Sequence, residues 1–97
     1  MATYLLLCNW TDQGIRNVKE APNRARQAEG LAQQLGCKIG SVYLTMGQYD
    51  LAVRVEAPDD ATMARYALSL GTQGNIRTTT LKAFPREEFE QIIHSLA

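Results

Sequence analysis

The sequence predicts an α+β fold: a ferredoxin-like βαββαβ plait, four antiparallel strands with helices on one face, and an extra C-terminal helix. Three observations predict it. Four segments carry strand-like alternation: Thr3–Trp10, Ile39–Met46, Tyr49–Glu56 and Ile76–Phe84. Stretches with apolar residues three and four apart follow the first and third of them, whereas only Gly47-Gln48 parts the second from the third. Two β-α-β units joined by a hairpin make this plait, and right-handed crossovers put the first and third strands at its centre.

Each element has its own signature. In Thr3–Trp10 both Tyr4, Leu6, Cys8, Trp10 and the alternates Leu5, Leu7, Asn9 are largely apolar, as in a central strand covered on two sides. Thr11 is a helix N-cap, with Asp12 favourable in the first turn. Helix runs from there to Leu35, with a bend or break near Ala21-Pro22; its second part has a stripe of Ala28, Leu31, Ala32 and Leu35, and Gly36 stops it. After the hairpin, Asp59 caps a helix whose buried stripe is Met63, Tyr66, Ala67 and Leu70, ended by Gly71. Gly74-Asn75 turns into a threonine-rich strand, Pro85 ends it, and Phe89, Ile92, Ile93 and Leu96 lie on one side of the last helix. No linker, repeat or low-complexity run divides the 97 residues, so they form one domain, 1–97.

Composition narrows the function classes. Ten basic residues balance ten acidic ones, which argues against nucleic acid and anionic lipid as partners. The longest apolar run, Tyr4 to Cys8, is far too short to cross a bilayer, and the N-terminus lacks the features of a secretory signal. A cytoplasmic location is expected, with Cys8 and Cys37 as reduced, semi-buried hydrophobes. One histidine and two distant cysteines leave no metal site, and no motif calls for a cofactor. The segment Gly71-Thr72-Gln73-Gly74 follows a helix and has no lysine, so it is no phosphate loop. LAVRVEA lacks the stacking aromatics of RNA-recognition domains.

TMGQYDLAVRVEAPDD, followed by GNIRTTTLKAF, closely resembles the GYD domain family, named for a corner that reads here Gly47, Gln48, Tyr49, Asp50. The opening TYLLLCNWTDQGIRNVKEAPNR is similar to that family's first strand and Thr-x-x-Gly helix start, here Thr11 and Gly14. The resemblance spans essentially the whole chain and implies a dimeric α/β-barrel-like assembly. It carries over no catalytic residue. It does mark Gly47, Tyr49, Asp50, Glu56, Pro58, Asp59, Gly74, Asn75, Arg77, Thr78, Thr80 and Phe84 as structural or candidate positions.

Two constellations are candidates for a ligand. At the corner, Gly47 supplies a positive φ, Asp50 accepts from turn amides and Tyr49 caps the core; alternatively Tyr49 and Asp50 rim a pocket as donor and base. Elsewhere, the ends of the first and third strands and the start of the fourth are expected to gather Trp10, Arg54, Glu56, Arg77 and Thr78. Such a group would bind a small anion, or would be an ion pair of Glu56 with Arg54 or Arg77. Tyr43 joins Asp50 and Glu56 as a titratable group that an enclosed pocket would need for catalysis.

These features suit a small homo-oligomeric binding or regulatory module, a homodimer first and a trimer second, with a small-molecule ligand on the sheet or between subunits. The uncovered sheet face is expected to bury Leu6, Cys8 or Trp10 against a partner subunit. The competing reading is a cofactor-independent monooxygenase or isomerase of the dimeric α/β-barrel type, which rests on fold analogy.

Overall fold

Strand β1 (Ala2–Trp10) runs through the middle of an antiparallel sheet, between β3 (Leu51–Ala57) and β4 (Ile76–Ala83). Outside β3 lies β2 (Lys38–Leu44), giving the order β2-β3-β1-β4. The computed structural model describes residues 1–97. Helices α1 (Asp12–Arg16) and α2 (Ala21–Gln34) join β1 to β2, α3 (Asp60–Thr72) joins β3 to β4, and α4 (Arg86–His94) follows β4. The arrangement is α+β and compatible with the ferredoxin-like plait.

The helical break precedes Pro22 rather than falling on it. Asn17 ends α1, a 3-10 turn covers Val18–Glu20, and Pro22 lies in the first turn of α2, where its missing N–H costs no hydrogen bond. Thr11 caps α1, its Oγ1 accepting from the Gly14 N–H at 3.0 Å. Asp59 caps α3 in the same way, accepting from the Thr62 N–H at 2.8 Å.

Register decides which face of each strand is inside. Tyr4, Leu6 and Cys8 of β1 join Val55 and Ala57 of β3 beneath Ala32 of α2 and Met63, Tyr66 and Leu70 of α3. The expectation that Leu6, Cys8 or Trp10 meets a partner on the open face is therefore corrected. Their side of β1 is the helix-covered one, and the open face carries Leu5, Leu7 and Asn9.

Strand β2 contains a bulge. Ile39 pairs with Val55 but Val42 with Val53, so one extra residue sits in the Gly40-Ser41 stretch. The bulge shifts the alternation, allowing Ile39 and Val42 to line the same cavity despite their odd spacing. The β2–β3 connection is also longer than a two-residue corner, spanning Thr45–Asp50.

Candidate functional site

Asp50 closes that connection. Its carbonyl accepts from the Thr45 N–H at 2.8 Å, and its own N–H donates to the Cys8 carbonyl at 2.9 Å. Its Oδ2 accepts from the Trp10 N–H at 2.9 Å, an amide of β1 rather than of the turn. The Thr45 hydroxyl donates to the Tyr49 carbonyl at 2.6 Å, and the Asn9 side-chain amide to the Gln48 carbonyl at 2.8 Å. Gly47 has φ +117, the left-handed side that other residues resist. The corner is thus tied to the end of β1 by backbone and side-chain bonds together.

The five residues expected to gather at one end of the sheet are divided. β1 and β3 are antiparallel, so their C-terminal ends lie at opposite ends. Trp10 pairs with Ile76, and Arg77 and Thr78 follow opposite Asn9 and Cys8. Arg54 and Glu56 lie far along β1, opposite Leu5 and Thr3. There they form an ion pair, Arg54 Nη2 to Glu56 Oε1 at 3.3 Å, beside a groove of about 550 Å³ at the β2 edge. With side chains 51% and 36% exposed, this pair is screened and adds little stability. Arg77 and Thr78 fall on opposite faces of β4.

A different polar cluster has no counterpart in the sequence pattern. The Tyr4 hydroxyl donates to Asp60, whose carboxylate also pairs with Lys82 Nζ at 3.1 Å. Lys82 is the register partner of Tyr4, so the sheet itself sets this contact. Burial and the Asp60 carboxylate push the Tyr4 phenol up to about 12. The bonds from Tyr4 and Lys82 hold the Asp60 carboxyl below its usual range. The only signal was Asp60 beside the cap residue Asp59, and its partner lies 56 positions away in sequence. The cluster fastens the start of α3 to the sheet. No group of three or more His, Cys, Asp or Glu side chains is placed to hold a metal ion.

What remains unpaired is apolar surface. On the open sheet face Leu5, Tyr43 and Leu81 are exposed; at the hairpin Leu44 and Met46 are exposed as well. Helix α4 has no substantial packing against any other element. Its stripe of Phe89, Ile92, Ile93 and Leu96 is 42% to 67% exposed, enough to mark it as uncovered along its length. An amphipathic helix without a surface to lie on is stabilised poorly in isolation, since packing supplies most helix stability. No helix is long and apolar enough to cross a membrane.

The GYD domain matches residues 4–93. A curated relative from Thermus thermophilus, described as a glutamine synthetase and cystathionine beta-lyase binding protein, is 35% identical over 86 residues. That match covers 88% of this chain and 90% of the relative. No solved structure matches the chain. Because the family match runs from the core tyrosine of β1 into α4, taking in the corner and all four strands, the chain belongs to the GYD domain family.

Proposed function

We propose that the protein is a cytoplasmic, homo-oligomeric interaction module that docks on other proteins; its Thermus relative is named for binding glutamine synthetase and cystathionine beta-lyase. The observation that carries this reading is the unpaired apolar surface, the α4 stripe together with the open sheet face. A homodimer serves it best, since each copy offers both an uncovered helix and an uncovered sheet, which complement each other; a trimer is the second arrangement. Glutamine synthetase and a cystathionine beta-lyase are the first partners to test, with any small-molecule ligand acting on that binding. The enzyme reading has less support: none of Tyr43, Asp50 and Glu56 lines the apolar cavity of the protomer.

The test is titration calorimetry with each purified enzyme from the same source. Binding to at least one, weakened tenfold or more by Phe89→Lys or Leu5→Lys, is the expected result. The absence of heat with both enzymes, in a correctly assembled sample, rejects the reading.

A further inference from the structure

Between the sheet and α2 lies a cavity of about 100 Å³. Its origin is visible in the sequence of α2. Ala21, Ala25 and Ala28 recur on one face of the helix, and above Leu6, Cys8 and Val53 they present only methyl groups. Further along, the helix carries Leu31 and Leu35, which pack against the core. Nearer the cavity, the Tyr66 hydroxyl donates to the Ala28 carbonyl at 2.9 Å and fixes the helix height. At that height the alanine methyls leave a void above the strands.

The void differs from a plain packing flaw in its lining. Arg24, Glu29, Gln73 and Asn75 stand among its lining residues, while 13 of the 17 are hydrophobic. Arg24 is held in place, both its Nη atoms donating to the Asn17 carbonyl at 3.2 and 2.7 Å. An apolar chamber with a few polar groups at its lining is the usual form of a small-molecule site. Its volume lies somewhat below that of cavities known to take up benzene, so one ring is the largest guest that fits. Burial pushes the Cys8 thiol up to about 11 and the Tyr66 phenol up to about 12, so both walls are neutral at physiological pH.

We propose that this cavity is a binding site for a small apolar molecule, a single aromatic ring or a branched aliphatic chain of about six heavy atoms, with any polar group turned towards the polar lining residues. The site is separate from the open sheet face and from α4, and it does not depend on which protein partners the chain binds.

Trp10, the one tryptophan of the chain, lines the cavity and reports on it. The probe is bromobenzene, whose heavy atom quenches indole fluorescence at contact. Saturable quenching below the solubility limit of the probe is expected, with an affinity loss of at least about tenfold in Ala25→Leu, which fills the roof. Because overpacking by Ala25→Leu can also disturb folding, an NMR measurement on the unaltered protein decides independently. Intermolecular contacts from benzene protons to the methyls of Ala21, Ala25 and Ala28 are expected. Linear, unsaturable quenching, or contacts confined to Leu5 and Leu81 on the open face, would overturn the proposal.

Discussion

The carboxylate of Asp50 accepts the backbone N–H of Trp10 at 2.9 Å, across 40 positions of sequence. β3 begins only at Leu51, opposite Cys8, so β1 outruns it by two residues. The Trp10 amide would face that gap, and the Asp50 side chain fills the place of the missing strand. Asp50→Asn keeps an acceptor but loses the charge, so we expect a loss of about 1 kcal/mol. Asp50→Ala, which leaves the amide without this partner, is expected to cost about 2 kcal/mol. Urea denaturation with both midpoints at the wild-type value would return the corner to consideration as a ligand site.

Two glycines test different physical causes. A Cβ on Gly14 would lie 1.9 Å from the Asn75 carbonyl oxygen, where backbone meets backbone. The same approach lets the Thr11 N–H donate to that oxygen at 3.0 Å. Gly14→Ala must separate α1 from the Gly74-Asn75 turn, with an expected loss of roughly 3 kcal/mol. At Gly47 a Cβ meets nothing within 4 Å, and only the φ of +117 resists it. Gly47→Ala is expected to cost about 1 kcal/mol. Thermal melts that reverse this ranking would contradict the close approach.

Buried neutral groups make an alkaline prediction. Burial pushes the Cys8 thiol from 9.0 to about 11, and Tyr4 and Tyr66 from 10.0 to about 12, with the Asp60 hydrogen bond adding to Tyr4. Each group keeps its proton in the folded chain after the unfolded chain has released it. Their stabilising contribution is therefore complete below about pH 9 and falls as pH rises towards 12. Urea midpoints measured from pH 8 upward should decline across that window; a flat profile would contradict the burial of these groups.

How much of the fold and site was legible depended on whether the relevant contact was local. Strand and helix periods reveal element types, and the N-caps Thr11 and Asp59 stand where sequence rules put them. The inner face of β1 was hidden, because Leu5 and Leu7 are as apolar as Leu6 and Cys8, and alternation carries no sign when both sets are apolar. Trp10 and Glu56 each stand near the C-terminal end of a strand, but in an antiparallel pair those ends lie apart, and Glu56 is opposite Thr3. The Asp50–Trp10 and Tyr4–Asp60 bonds join distant segments, so no local pattern announces them. Gly40 weakly signals the bulge, since glycine within a strand often marks one.

Assembly can be tested at α4. Phe89, Ile92 and Ile93 are left uncovered by their own domain, and the open sheet face exposes Leu5 and Leu81. If α4 of one copy lies on the sheet of another, both surfaces leave water, at about 25 cal/mol for each Å² of apolar area covered. Sedimentation equilibrium at micromolar concentration should then give at least twice the protomer mass of 10.8 kDa. Ile92→Lys should shift the protein towards monomer with little change in the circular dichroism of the domain, because α4 has no substantial packing against any other element of its own chain. A wild-type monomer under these conditions rejects homo-oligomerisation. An assembly that Ile92→Lys leaves intact keeps oligomerisation but removes α4 from the contact, leaving the open sheet face to form it alone.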